Sequence, residues 1–211
     1  MMRVHRTTVG DIDVAEVEIP EMMNIENGDA DFGMHRFTDG VRSERRRSEI
    51  IVTRLLVKDL FGDNAVLCHE DSGAPYVEVD GRRLPMGFSL SHCRGWVVAA
   101  WSETESVGID VELIEPRIDR VKERVLCPDE LRFVGRSLWK AAVAWTAKEA
   151  VFKCAGEQGV DFQRDIALDL STLHDGDRAD RYRASAFGRT FDVHSFTTDN
   201  RILTVTSTKH K

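Results

Sequence analysis

The sequence predicts an α+β protein composed of two similar halves. Helical and strand-like segments follow one another in the order helix, strands, helices, strands, which is typical of this class. With 211 residues, the chain is long for one average domain and short for two. The only shift of composition near its middle is the polar stretch SETES at 102–106. We therefore predict an N-terminal half at 1–104 and a C-terminal half at 105–211, although the sequence contains no exact repeat.

The N-terminal half begins with a strand and a long helix. From Asp11 to Ile19 apolar residues nearly alternate with acids, as in a half-buried strand, and Pro20 ends it. From about 41 to 61 apolar residues recur at helical spacing, and Gly62 provides a C-terminal stop.

A meander of short strands is predicted between Val66 and Glu112. Its strand-like stretches are YVEV, FSLSH, WVVAAW and VGIDVE. Asp80-Gly81 and Arg94-Gly95 have the composition of tight turns between strands.

The C-terminal half is predicted to contain helices followed by strands. Pro128 in CPDEL suits the first position of a helix, and a longer helix runs from about 138 to 155, between Ser137 as N-cap and Gly156. The later stretches IALDL, RYRASAF, TFDVHSF and RILTVTS are strand-like, with turns at 174–177 and 199–200.

Composition and charge exclude several classes of protein. The net charge of -7 argues against non-specific nucleic-acid binding, which needs a basic surface. No stretch approaches the roughly 18 uninterrupted apolar residues that a membrane helix requires. The four cysteines include no C-x-x-C pair, and no signal-like apolar run begins the chain. We expect a soluble cytoplasmic protein with reduced thiols.

The stretch VGIDVE places two carboxylates, Asp110 and Glu112, within an apolar run. In a strand both would project from the same face, about 7 Å apart along the chain. A positive group is expected between them.

The stretch WTAKEAVFK lies within the long predicted helix. Glu149 and Lys153 are four residues apart, which alone indicates only a weak surface ion pair. However, Trp145 and Phe152 lie near Glu149 on the helix, so the acid is predicted to be partly buried. A partly buried acid beside a lysine is a candidate functional site.

Two further stretches have a structural and a functional interpretation. His92 in SLSHCRGW is a lone histidine, more often structural than catalytic. The arginines of RSERRR could form a solvated helix face or a local site for an anion. Taken with the acids and lysines, these stretches are those expected of phosphoryl transfer, in which a divalent metal and cations hold phosphates.

The paired motifs VGIDVE and WTAKEAVFK, with 32 residues between Glu112 and Trp145, resemble the two-part signature of 4′-phosphopantetheinyl transferases. SLSHCRGWVVAAW is similar to the strand and turn before that signature in the larger, surfactin-synthetase-activating branch. Members of that branch are single chains of about this length. The resemblance implies a pseudo-two-fold α+β fold, a monomer, and coenzyme A bound between the halves.

The resemblance also implies the chemistry. Asp110, Glu112 and Glu149 would hold Mg²⁺, Lys148 and Lys153 would meet phosphate oxygens, and His92 would hydrogen-bond one of them. A serine of an apo acyl, aryl or peptidyl carrier protein would attack coenzyme A and release 3′,5′-ADP. Glu149 is the first choice for the general base and Lys148 the second.

The chain departs from the family where relatives have a cation in a G-K/R-P-Y segment, because it reads SGAPY with Ala74 at that position. Arg45 or Arg46 could supply the missing charge. The residues that the resemblance places at the coenzyme are Arg45, Arg46, Gly73, Ala74, Pro75, Ser91, His92, Asp110, Lys148 and Lys153. Two alternatives stay open: a Mg²⁺-dependent nucleotide pyrophosphatase, and a non-catalytic module that binds coenzyme A or a carrier protein.

Overall fold

The computed structural model describes residues 2–19, 35–174, 178–198 and 200–209. Its first part contains the elements β1 (Val4–Val9), β2 (Ile12–Glu18), α1 (His35–Thr38), α2 (Glu44–Phe61), β3 (Ala65–His69), β4 (Pro75–Val79), β5 (Arg82–Arg83), β6 (Gly87–Cys93), β7 (Trp96–Ser102) and β8 (Glu105–Leu113). Then follow α3 (Arg117–Val125), α4 (Pro128–Val134), α5 (Leu138–Ala155), α6 (Phe162–Asp165), β9 (Ile166–Asp169), β10 (Ala179–Ala186), β11 (Arg189–Thr198) and β12 (Arg201–Lys209). The predicted α+β class is confirmed.

Helix α5 has both predicted ends, and α2 stops before Gly62 as predicted but begins at Glu44, about three residues later than expected. The hydroxyl of Ser43 accepts a hydrogen bond from the backbone N–H of Arg46, and that of Ser137 accepts one from Lys140. Gly156 has φ 69°, the left-handed conformation that stops α5. Strand β1 and helix α3 are additional elements that the sequence analysis did not predict. Pro20, Asp199 and the turn residues 175–177 lie outside the described residues.

The strands form antiparallel sheets. The first has the order β1-β2-β7-β6, the second β8-β12-β11-β10-β9 and a small third β3-β4-β5. The strands of the first sheet precede residue 103, and those of the second follow residue 104. The division of the chain into two halves stays a prediction.

Three apolar clusters hold these layers together. Helix α2 packs against one face of the first sheet, and α5 packs against one face of the second. Between the two sheets lies a shared layer that includes Val14 and Val98 from the first sheet and Ile109 and Val205 from the second. Burial of this shared layer joins the sheets into one body.

Strands β6 and β8 lie side by side where the two sheets meet. A Cβ atom added at Gly87 would be 2.2 Å from the carbonyl oxygen of Glu105, so no larger residue fits there. The backbone N–H of Ile109 donates a hydrogen bond to the Ser89 hydroxyl at 3.1 Å. Residues at the end of β6 are thereby placed beside the VGIDVE strand.

None of the helices in the described residues is long and apolar enough to cross a membrane.

Candidate active site

Close packing of strand β8 on helix α5 creates the site. A Cβ atom added at Gly108 would be 1.9 Å from the carbonyl oxygen of Ala150 and 2.7 Å from the backbone nitrogen of Cys154. The strand therefore lies directly on the helix backbone, which only glycine permits. This contact explains the glycine of VGIDVE and brings its carboxylates to the face of α5 that carries Glu149 and Lys153.

Asp110 is the best-anchored residue of the site. It is 5% exposed, and its Oδ1 accepts hydrogen bonds from the Ser91 hydroxyl and the Lys153 ammonium, both at 2.8 Å. Its Oδ2 is buried and has no hydrogen-bond partner among the described residues. Lys153 is thus a positive group bonded to Asp110, and one carboxylate oxygen of Asp110 stays available to a ligand.

The two glutamates next to Asp110 have raised pKa values. Burial, and then the negative charge of Asp110, raise the pKa of Glu149 to about 7, while Lys153 opposes the rise. Burial and Asp110 also raise the pKa of Glu112, against the opposing charge of Arg117. The negative charge of Asp110 thus disfavours the ionised form of both glutamates.

Glu112 is held by two neighbours. The indole N–H of Trp145 donates a hydrogen bond to its Oε1 at 3.4 Å, and the guanidinium of Arg117 contacts its Oε2. In the described part of the chain, no group of three or more Asp, Glu, His or Cys residues is placed to hold a metal ion. The carboxylates are therefore not a preformed metal site. The unpartnered Oδ2 of Asp110, beside two glutamates whose pKa values its charge raises, nevertheless fits a divalent cation, which takes oxygen ligands.

A cleft of about 420 Å³ opens beside this cluster. Its walls come from α2, the segment before β4, strand β6 and the C-terminal end of α5. Seven of the ten residues predicted to contact the coenzyme line it: Arg46, Gly73, Ala74, Pro75, Ser91, His92 and Lys153. Asp110 lies next to the cleft through its bonds to Ser91 and Lys153.

A buried acid that the sequence analysis missed lies among the cations of the cleft. The Glu49 side chain is only 6% exposed; its Oε2 is 3.2 Å from Arg46 and 3.5 Å from Nδ1 of His92. Its Oε1 is 3.6 Å from Arg45. The available signal was the sequence itself, in which this acid directly precedes two isoleucines, Ile50 and Ile51, within the helix.

Lys148 lies away from this cleft, which corrects its predicted role. Its side chain is fully buried and its Nζ is 2.7 Å from Oε2 of Glu130. The same ammonium donates hydrogen bonds to the carbonyl oxygens of Phe162 and Ile166, at 2.7 and 2.8 Å. Its three donors are thus occupied, and it fastens α4 and α6 to α5 instead of meeting phosphates or acting as a base.

Residues 106–206 match the family model of the 4′-phosphopantetheinyl transferase superfamily. The matched segment contains β8 and α5, and so includes Asp110, Glu112, Glu149 and Lys153. The match supports a function in phosphopantetheine transfer in general. No curated protein matches the chain. Membership of the larger, surfactin-synthetase-activating branch stays a prediction.

The N-terminal wall of the cleft lies outside the matched segment, and Ala74 is part of it. Arg46 lines the cleft as predicted for a compensating cation, whereas Arg45 does not. Arg54 is a second arginine of the lining, and its guanidinium lies 3.8 Å from the centre of the Phe37 ring. Two arginines of α2 therefore line the same cleft as Ala74, the position at which the resemblance led us to expect a cation.

Proposed function

We propose that the chain transfers 4′-phosphopantetheine from coenzyme A to a serine of an apo acyl, aryl or peptidyl carrier protein, with Mg²⁺, and releases 3′,5′-ADP. One observation carries the proposal: the bonded pair of Asp110 and Lys153 lies at a cleft that Arg46 and His92 also line. An acid for a metal and cations for phosphates are thereby present side by side, in a segment that matches the transferase superfamily.

The metal would be held by Asp110, Glu112 and Glu149. Mg²⁺ prefers carboxylate oxygens, retains water and is usually completed by substrate phosphate, which suits an incomplete set of protein ligands. When bound, it would neutralise negative charge on the pyrophosphate as the phosphoanhydride breaks. The unpartnered Oδ2 of Asp110 and the raised pKa values of the two glutamates support this assignment.

The phosphates would be bound by residues of both walls. Lys153 already donates hydrogen bonds to Asp110 and to the carbonyl oxygen of Ile109, which fixes its ammonium at the cleft. The Ser91 hydroxyl donates a hydrogen bond to the same Oδ1 of Asp110. Lys153, Arg46 and His92 would then bind phosphate oxygens, and Gly73 to Pro75 would border the nucleotide.

The serine proton would pass to Glu149. In this step the serine oxygen bonds to the phosphorus that carries the pantetheine group, and the bond from that phosphorus to the bridging oxygen breaks. Glu149 makes no hydrogen bond to the described residues, whereas the ammonium of the second candidate, Lys148, is buried and fully bonded. A general base of this kind typically contributes about a hundredfold or more to the rate.

The test is incubation of the protein with coenzyme A, Mg²⁺ and a panel of apo carriers from fatty-acid, polyketide and peptide synthesis. Intact mass spectrometry should show one phosphopantetheine on a carrier, and none when EDTA replaces Mg²⁺. No mass change on any carrier would contradict the proposal. Release of 4′-phosphopantetheine without a carrier would identify the pyrophosphatase, and binding of coenzyme A without either product would identify the binding module.

A further inference from the structure

Glu49 has no role in the transfer reaction described above, yet it is buried at the cleft. A carboxylate there repels an anionic ligand, so its presence needs a physical reason. It contacts Arg46 at 3.2 Å and His92 at 3.5 Å, which are two residues proposed to bind phosphate. From this position Glu49 can set the orientation of the Arg46 and His92 side chains toward the ligand.

The contact between Arg46 and His92 determines the tautomer of the histidine. The guanidinium NH1 of Arg46 lies 2.7 Å from Nε2 of His92. Arginine can only donate hydrogen bonds, so Nε2 must be the unprotonated nitrogen that accepts. The proton of the neutral ring is then on Nδ1, which faces Oε2 of Glu49.

In this arrangement both ring nitrogens of His92 are engaged. A phosphate oxygen can receive a hydrogen bond from Nε2 only after Arg46 has left it and a proton has been added there. Arginine binds phosphate in a planar, two-point geometry, so an anionic ligand provides a better partner for Arg46 than the imidazole does.

We propose that Glu49, Arg46 and His92 form a proton-linked latch on the ligand phosphate, which rests on the proposed function. The anionic ligand draws Arg46 away from Nε2 of His92, and Nε2 takes a proton from solvent and donates it as a hydrogen bond to the ligand. Nδ1–H keeps facing Glu49 throughout, so Glu49 is a positioning residue that stabilises the imidazolium.

The charges around His92 are consistent with such a switch. Arg45 and Arg46 from α2, and Lys153 from α5, disfavour a positive ring, whereas Glu49 favours it. In the free protein burial and these cations keep the pKa of His92 below its ordinary value of 6.5. A bound phosphate adds a second negative charge beside that of Glu49, and together these charges favour the protonated imidazole ring over the neutral one.

The direct test is NMR of histidine labelled with ¹⁵N, with 3′,5′-ADP as the ligand, without metal, and with His92→Gln to assign the signals. In the free protein at pH 7 we expect His92 to carry a proton on Nδ1 alone. In the complex we expect both nitrogens protonated, with a His92 pKa about one unit or more higher. A free protein with the proton on Nε2, or a complex in which His92 stays neutral, overturns the latch.

Variants separate the latch from the proposed function. Calorimetry in buffers of different ionisation enthalpy should show proton uptake that Glu49→Gln and His92→Gln both reduce. His5→Gln is the matched control, because His5 also lies beside a glutamate, Glu16, but outside the cleft; it should bind like the wild type. Failure of the wild type to bind 3′,5′-ADP overturns the function and the latch together, whereas binding without uptake at His92 overturns the latch alone.

Discussion

Replacing Glu149 by Gln should stabilise the protein at alkaline pH in the absence of metal. Burial and the charge of Asp110 raise the pKa of Glu149 from its ordinary value of 4.5 to about 7. A rise of this size corresponds to at most about 3.5 kcal/mol, since each pKa unit is worth about 1.4 kcal/mol. Because Glu149 retains some contact with solvent, we expect a gain of about 2 kcal/mol for the variant at pH 8.

The free energy of unfolding depends on pH because the folded and unfolded states bind the Glu149 proton with different affinity. Between pH 4.5 and about 7 the folded protein holds the Glu149 proton more tightly than the unfolded chain does. The wild type therefore loses stability as the pH rises through this range, and the neutral glutamine does not. The advantage of Glu149→Gln should be greatest at pH 8 and should fall below about 1 kcal/mol at pH 5.

Urea denaturation at pH 5 and pH 8, with EDTA present, measures this difference. Glu157→Gln is the matched control, because Glu157 follows the same helix but is half exposed, and its stability should stay within about 0.5 kcal/mol of the wild type. Equal stability of Glu149→Gln and the wild type at pH 8 would refute the inference that burial and the charge of Asp110 disfavour the ionised form of Glu149.

Three other substitutions test particular contacts. Gly108→Ala should cost about 3 kcal/mol or more and abolish activity, because its Cβ would lie 1.9 Å from a helix carbonyl oxygen; an unchanged melting temperature would contradict the packing of β8 on α5. Lys148→Met should cost about 3 to 5 kcal/mol in urea denaturation by leaving Glu130 buried and unpaired, and loss of activity with full stability would instead favour a catalytic role. Arg46→Gln should raise the KM for coenzyme A about tenfold and the KM for dephospho-coenzyme A by less, since only coenzyme A has a 3′-phosphate. Equal increases of the two KM values would show that Arg46 does not bind that phosphate.

The sequence predicted the elements that have strong local signals. Alternating apolar residues indicated β2, and Ser137 and Gly156 gave the ends of α5. Helix α3 was not predicted, although Ile118, Val121 and Val125 recur at helical spacing on the side that packs against the core. Strand β1 was not predicted because none of its residues is fully buried, so its sequence shows no alternation of apolar and polar residues.

The site was predictable only where residue type alone indicated chemistry. Asp110, Glu149 and Lys153 were identified by carboxylates and an amine in an apolar setting, and the structure places them together. Lys148 could not be assigned, because α5 is buried on nearly all sides and its hydrophobic pattern does not indicate which face meets the cleft. Glu49 could not be linked to His92, which is 43 residues away in sequence and reaches it only through the packing of α2 near β6.

The most direct test of the account is single-turnover transfer by Asp110→Asn, measured as the intact mass of a carrier that the wild type modifies. Asparagine keeps the shape of Asp110 and an oxygen for the Ser91 hydrogen bond, but removes the charge that Lys153 and Mg²⁺ would share. Circular dichroism should report a folded variant. We expect full modification of the carrier by the wild type and none by Asp110→Asn over the same time with Mg²⁺. Transfer by the variant at the wild-type rate would contradict it, because the VGIDVE strand would then contribute no charge to the reaction.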